Sequence, residues 1–168
     1  MAIAQTLDNI LFTSINGLFK AYGQPMEEAK NGGFAIDGAW CAMVGFGGPT
    51  LSGALILTVA ADLVSRTCQV SELSPRDWIG ELANQLAGRV KNRLLPYGIV
   101  IQVQIPVVVR RERLAPLDGP GLPCVTMQAQ NGSRVAACID HIVHDPESVE
   151  ALSRGDLEVP REGDVILF

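Results

Sequence analysis

A carboxylate and an amide three positions apart, Glu81 and Asn84, are the side chains of this sequence best placed to do chemistry together. The surrounding pattern predicts a helix, and residues at i and i+3 are neighbours on a helix surface, so both groups can act on one target. An amide is neutral at every relevant pH and both donates and accepts hydrogen bonds. Asn84 can therefore hold a water molecule in position for attack, but it cannot act as a base that deprotonates this water.

These two side chains lie in residues 74–95, whose pattern predicts one amphipathic helix. Ser74 suits the N-cap and Pro75 the first helical position. Apolar side chains recur at helical spacing and form one stripe: Ile79, Leu82, Leu86, Val90 and Leu94. The roughly opposite face presents polar or small residues: Asp77, Glu81, Asn84 and Gly88.

The predicted helix contains two glycines, Gly80 and Gly88, within nine residues. Glycine in a helix interior costs about 1 kcal/mol relative to alanine. The pair therefore indicates a need beyond helix formation. Because a residue without a side chain lets another backbone come close, we predict that Gly80 and Gly88 belong to a partner-binding surface.

An apolar run over residues 99–109 follows the helix and predicts a strand, although it contains Pro106. Proline has no N–H for a sheet ladder, so the run must be an edge strand or carry a bulge. Purely structural explanations also exist for Asp77, as a helix cap, and for Glu81, as a solvated carboxylate. Asn84 is harder to explain in this way, because asparagine is a poor helix former and has no capping role in mid-helix.

The spacing of four of these residues resembles a known signature. Three residues separate Asp77 from Glu81, two separate Glu81 from Asn84, and twenty-one separate Asn84 from Pro106. This spacing resembles the signature of the CheC/CheX/FliY family of chemotaxis phosphatases, and residues 80–88 are most similar to the CheX branch. The similarity extends over about residues 35–142.

The resemblance implies an enzyme that binds a phosphorylated response-regulator receiver domain such as CheY and accelerates hydrolysis of its aspartyl phosphate. Asn84 would orient the attacking water and Glu81 would contact the receiver's lysine, with Asp77 and Pro106 as supporting positions. Phosphoryl transfer needs positioning and charge stabilisation more than covalent chemistry. The resemblance implies that the Mg²⁺ lies on the receiver, so we expect no cofactor of this chain's own.

The remaining elements predict an α+β fold, since helices and strands mix without a regular βαβ rhythm. We expect a long first helix at 6–22, strands at 34–45 and 51–59, a short helix at 60–68, and a hairpin pairing 124–130 with 134–144 across Asn131 and Gly132. The resemblance implies an antiparallel sheet with two long amphipathic helices packed against it and pseudo-two-fold halves.

A faint internal repeat accompanies this pattern. A shift of 75 residues places Asn9 on Asn84, with Leu7 and Leu11 on matching leucines, but Thr6 stands where Glu81 would be. The first helix thus lacks the carboxylate. We predict one working site, on the second long helix.

Composition limits the other functions. The chain has 168 residues, 48% of them hydrophobic and 18% charged, which fits one globular domain. A net charge of −5 argues against nucleic acid and anionic membrane surfaces as partners. No apolar run is long enough to cross a bilayer and no signal peptide is visible. Four cysteines without a Cys-x-x-Cys spacing indicate reduced thiols, so a cytoplasmic location is expected.

We predict no metal site, because His141 and His144 are three apart on a predicted strand and point to opposite faces. Residues 1–144 are predicted as the CheX-like phosphatase domain. Residues 145–168, rich in acids, prolines and glycines, are predicted as a C-terminal extension that packs on the domain or at a dimer interface. The resemblance implies a homodimer joined at sheet edges.

Two other functions remain open. The helix could serve a non-catalytic adaptor that binds a receiver domain. Alternatively, the fold could be a structural module of a signalling or motor assembly. The presence of both Glu81 and Asn84 favours the phosphatase, because an adaptor has no use for a water-positioning amide.

Overall fold

The fold comprises helices and antiparallel strands, in a computed structural model that describes residues 2–29, 38–110 and 124–154. The elements follow along the chain as α1 (Ala2–Ala21), β1 (Met26–Glu28), β2 (Ala39–Gly47), β3 (Leu51–Ala60), α2 (Ala61–Thr67), α3 (Pro75–Leu94), a 3₁₀ turn (Leu95–Tyr97), β4 (Gln102–Val103), β5 (Val107–Arg110), β6 (Val125–Ala129), β7 (Arg134–Val143) and α4 (Pro146–Arg154).

The seven described strands form one sheet, in which every pairing is antiparallel. The order is β1, β6, β7, β3, β2, and both β4 and β5 then pair with β2. The predicted α+β class with an antiparallel sheet is therefore confirmed. The predicted pseudo-two-fold relation between halves remains a prediction.

The long helices α1 and α3 lie on one face of the sheet and contact each other. Strand β2 shows the alternation that this arrangement requires: Ala42 and Val44 are fully buried, whereas Met43 between them is 45% exposed. The apolar stripe of α3 is buried as its spacing predicts, and Ile79, Leu82 and Leu86 are completely inaccessible. Each such side chain contributes about 1.5–3 kcal/mol to folding by its removal from water.

Aromatic side chains join α3 to its neighbours. The rings of Tyr22, just after α1, and Trp78 meet edge to face with centroids 5.3 Å apart. The indole Nε1 of Trp78 donates to Thr67 Oγ1 of α2 at 2.9 Å. The first turn of α3 is thus held against both helices, which fixes the direction of its outer face.

Helix α3 begins and ends within one residue of the predicted range 74–95. Ser74 is the N-cap: its Oγ accepts from the Asp77 N–H at 3.1 Å and donates to Asp77 Oδ2 at 2.6 Å. Lys91 and Arg93 lie in the last turn, where positive charge interacts favourably with the helix dipole.

The single strand predicted at 99–109 is wrong, because this segment contains two short strands, β4 and β5, both paired with β2. The interruption falls at residues 104–106 and includes Pro106, which has no N–H to continue a ladder. The Gln104 N–H still donates to the Gly45 carbonyl at 2.8 Å. The break therefore pushes residues 105 and 106 out of the sheet beside α3.

The other boundaries differ modestly from expectation. Helix α1 starts at Ala2 rather than residue 6, and the three-residue strand β1 was not predicted because so short a run has no visible alternation. In the strand predicted at 34–45, residues 34–37 lie outside the described residues and Gly38 is in a turn. The hairpin of β6 and β7 is confirmed, with Gly132 at φ 85° in its turn.

The described part of the C-terminal extension is α4, which contacts α1. Val149 of α4 is 4% exposed and belongs to the main core. The domain boundary at residues 144 and 145 and the role of the extension remain predictions. The apolar residues 165–168 lie outside the described residues. No helix in the described ranges has the length and apolar character needed to span a bilayer.

Candidate functional site

The outer face of α3 carries the three polar side chains that the sequence singles out. Asp77, Glu81 and Asn84 are all exposed, while the residues between them that face the sheet are buried. The candidate site is therefore a solvent-facing helix surface. Its geometry is set by the buried stripe on the other side of the same helix.

Glu81 is oriented by a chain of hydrogen bonds that begins at the end of α1. The hydroxyl of Tyr22 donates to Gln85 Oε1 at 2.9 Å, and Gln85 Nε2 donates to Glu81 Oε1 at 2.9 Å. Tyr22 itself is fixed by its contact with Trp78. These two residues were missed from the sequence, although the i,i+4 spacing of Glu81 and Gln85 is a signal that could have identified Gln85.

Asn84 is exposed, and its side chain makes no hydrogen bond to any other residue among those described. Its amide therefore keeps its full capacity to donate and accept. An amide held on a rigid helix, with no partner in the part of the chain that the structure describes, is suited to bind a water molecule or a group of another protein.

A groove opens beside Asn84, between α3 and the segment that joins β4 to β5. Its volume is about 440 Å³, and its walls are formed by Asn84, Gly88 and Lys91 of α3 and by Val103, Gln104, Ile105 and Pro106. Asn84 and Pro106, with twenty-one residues between them in the sequence, thus line one concave surface. The break in the predicted strand creates this second wall.

The two glycines of α3 occupy different environments. Gly80 is buried, and an added Cβ would lie 3.4 Å from Val108 Cγ2 and 3.7 Å from Pro106 Cγ. Its small size therefore serves the packing of α3 on β5, and its predicted contact with a partner remains a prediction. Gly88 lines the groove, with nothing within 4 Å of an added Cβ, and its predicted partner contact remains open.

Asp77 and Pro106 have visible structural roles next to this surface. The Asp77 carboxylate is held by the Ser74 hydroxyl at the start of α3. Pro106 is half-buried between Gly80 and the groove. Asp77 therefore caps α3 and Pro106 packs beside it, and their role as supporting positions remains a prediction.

The corresponding position of α1 has a different environment. Asn9 is exposed, but its Oδ1 accepts from Gln5 Nε2 at 3.4 Å, and Thr6 supplies no carboxylate. Asp8, the acid nearest to Asn9 in sequence, is partly buried, and this burial raises the pKa of its carboxyl, against the opposing charge of His141. The prediction of a single site, on α3, stands untested.

The described residues contain no cluster of three histidine, cysteine or acidic side chains arranged to hold a metal ion. The apolar side chains around the groove are unusually exposed: Ile105 by 88% and Val107 by 56%. An exposed apolar rim next to polar side chains is a common feature of protein-binding surfaces. The site thus offers two hydrogen-bonding side chains and an apolar border.

Comparison with known proteins identifies the fold. No protein-family model and no curated protein matches the chain. Among solved structures, the chemotaxis protein CheX from Vibrio vulnificus superposes with a TM-score of 0.63 at 19% identity, covering 80% of this chain and 96% of that one. A CheC-like superfamily protein from a Shewanella species gives 0.61 at 19% identity, covering 80% and 97%.

A third match is CheX from Borrelia burgdorferi, whose structure is described as a complex with CheY, BeF₃ and Mg²⁺. Its TM-score is 0.56 at 14% identity, with coverage of 82% of this chain and 96% of that one. The protein therefore has the CheC/CheX/FliY fold, and the resemblance predicted from the signature is confirmed at the level of the fold.

Proposed function

We propose that this protein is a phosphatase that accelerates hydrolysis of the aspartyl phosphate of a response-regulator receiver domain. The observation that carries the proposal is the exposed pair on α3. Glu81 is held by Gln85, and Asn84, beside a groove, has no hydrogen-bond partner within the described ranges. The fold supports it, because one matching structure is a CheX bound to CheY with BeF₃ and Mg²⁺.

The chemistry assigned to Asn84 is the positioning of water. The carboxamide oxygen accepts a hydrogen bond from the water, so that an oxygen lone pair is directed at the phosphorus of the receiver's phosphoaspartate. Phosphoryl transfer depends mainly on such alignment and on charge stabilisation. The Mg²⁺ that stabilises the charge belongs to the receiver in this proposal.

Glu81 has a binding role in the proposal. Its carboxylate is exposed and restrained by Gln85. It can therefore form an ion pair with a lysine of the receiver at little cost in side-chain conformational entropy. The groove beside Asn84 then receives the neighbouring backbone of the receiver, and Gly88 leaves space for it.

The decisive experiment measures phosphate loss from phosphorylated candidate receivers with and without this protein. We expect the wild type to accelerate the loss and Asn84→Ala to reduce the acceleration about 10- to 100-fold, which corresponds to about 1.4–2.8 kcal/mol of barrier. Asn92→Ala is the matched control, because Asn92 is an exposed asparagine on the same helix. It should leave the rate unchanged.

Two results would contradict the proposal. Binding of a receiver without faster dephosphorylation would identify an adaptor, and binding to no receiver would favour a structural module. Asn9→Ala tests the single-site prediction in the same assay. Activity that persists in Asn84→Ala and disappears only when Asn9 is also changed would place catalysis on both helices.

A further inference from the structure

Two cysteines face each other across neighbouring strands, away from the phosphatase surface. Cys138 lies in β7 and Cys124 directly precedes β6. The register pairs Val125 with Ala137, so the next pair along the two strands is Cys124 with Cys138. Side chains of directly opposed residues lie on the same face of an antiparallel sheet.

The backbone hydrogen bonds show which kind of pair this is. The Thr126 carbonyl accepts from the Ala29 N–H at 3.0 Å, on the side of β6 that faces away from β7. Successive residues of a strand direct their N–H and C=O groups to opposite sides, so residues two apart direct them to the same side. Those of Cys124, like those of Thr126, therefore point away from β7. Cys124 and Cys138 therefore form a non-hydrogen-bonded pair, the close kind, with Cα atoms about 4.5 Å apart.

The Cys138 thiol is placed to donate a hydrogen bond to the Cys124 sulfur. This bond lowers the pKa of the Cys124 thiol, against the opposing effects of burial and the Asp8 charge. The same bond raises the pKa of Cys138. Cys124 is half-buried, whereas Cys138 is only 2% exposed. The accessible thiol is thus the better nucleophile and the buried one its nearest thiol partner.

We propose that Cys124 and Cys138 are a peroxide-reactive pair that closes into a reversible cross-strand disulfide. The Cys124 thiolate attacks one oxygen of hydrogen peroxide, the O–O bond breaks, and the departing hydroxide takes up the proton lost earlier from Cys124. The Cys138 sulfur then attacks the Cys124 sulfenic acid, the S–O bond breaks, and the Cys138 proton leaves in a second water molecule. One peroxide is reduced to two waters and two thiols are oxidised by two electrons.

The geometry permits the bond and makes it labile. Opposed Cβ atoms in a sheet lie about 4.5–5.5 Å apart, and a disulfide needs about 3.5–4.5 Å. A small closure of β6 on β7 therefore suffices, and the resulting strain makes the bond easier to reduce. Cys41 is not an alternative partner, because β3 separates its strand β2 from β7 and disulfides require Cα atoms within about 7 Å.

The test treats the full chain with hydrogen peroxide and maps disulfide-linked peptides by mass spectrometry without reduction. We expect a bridge between the peptides of Cys124 and Cys138, with the loss of two hydrogen atoms from the intact mass, reversed by dithiothreitol. Cys138→Ser should accumulate a Cys124 sulfenic acid that dimedone captures. Cys68→Ser is the matched control, since Cys68 is also half-buried but donates to the Val70 carbonyl at 3.2 Å.

A peptide map of the oxidised wild type without this bridge, or with Cys41 or Cys68 in its place, would overturn the proposal. So would a Cys138→Ser protein that folds, as judged by circular dichroism, and yields no adduct at Cys124. The peptide map of the wild type tests the proposal even if Cys138→Ser prevents folding. Iodoacetamide supplies an independent measure on the wild type: Cys124 should be alkylated faster than Cys68.

Discussion

At the scale of single residues, the candidate site combines two neighbouring side chains of α3 that differ in how firmly they are held. Glu81 is restrained through Gln85 and Tyr22, whereas Asn84 is left unpaired among the described residues. A restrained carboxylate binds with little loss of side-chain entropy, and an unpaired amide can bind a water. The sequence indicated both candidate side chains, and the spacing of Glu81 and Gln85 indicated one hydrogen bond of the restraint. It could not indicate the other, because Tyr22 is 63 residues from Gln85 and meets it only through the packing of α1 on α3.

The restraint on Glu81 predicts a graded loss of receiver binding. Gln85→Met removes both hydrogen bonds at similar size, and we expect receiver affinity to fall severalfold while the catalysed rate at saturation changes little, because Asn84 is untouched. Tyr22→Phe removes only the outer hydrogen bond and should have a smaller effect. Stability should change by about 1 kcal/mol or less in either variant. A binding titration measures the receiver affinity, and dephosphorylation at saturating receiver concentration measures the catalysed rate. A reduced saturating rate with unchanged affinity would contradict the prediction.

At the scale of elements, local signals predicted α3 well and the following segment poorly. Ser74, Pro75 and the apolar stripe determine α3 within a few neighbouring residues, so its limits were correct within one residue. The break between β4 and β5 depends on Pro106 and on pairing with β2, a strand more than fifty residues earlier. Pro106 indicated an irregular strand from the sequence alone. The groove, however, also requires α3 to lie beside the interrupted segment. The sequence therefore indicated the candidate residues, but it could not indicate the concave surface beside them.

Gly88 provides a prediction in which stability and binding change in opposite directions. Nothing lies within 4 Å of an added Cβ, so Gly88→Ala should stabilise the protein by about 0.5–1 kcal/mol through helix propensity. If a receiver backbone enters the groove there, the same methyl group should weaken binding. Thermal unfolding and receiver titration measure the two effects.

Gly80 is the matched control on the same helix. Gly80→Ala places its methyl group at ordinary contact distance from Val108, inside the protein, and should leave receiver binding unchanged. A Gly88→Ala protein that is more stable and binds equally well would remove Gly88 from the partner surface. A Gly80→Ala protein with weakened binding would show that the effect is transmitted through the packing of α3 on β5.

At the scale of the whole molecule, the sheet ends in two unlike edges among the described strands. Strand β1 exposes Glu27 and Glu28, and charged side chains at an edge discourage pairing with a second copy. At the other edge, β5 consists of three valines and Arg110, and Val107 is 56% exposed. The β5 edge is therefore the better candidate for the predicted homodimer. It also borders the groove through Ile105 and Pro106.

A charge placed on each edge in turn tests whether the homodimer forms through β5 or through β1. We expect Val107→Lys to convert a dimer into a monomer, because like charges from two copies would meet at the joined edge, whereas Glu27→Lys on the opposite edge should leave the dimer intact. Light scattering coupled to size-exclusion chromatography measures the mass. Val107 is more than half exposed, so its substitution should leave the unfolding temperature nearly unchanged, and any loss of dimer can be assigned to the edge itself. A monomeric wild type would refute the homodimer. A dimer that survives Val107→Lys but not Glu27→Lys would move the interface to β1, far from the groove, and would leave receiver binding independent of assembly.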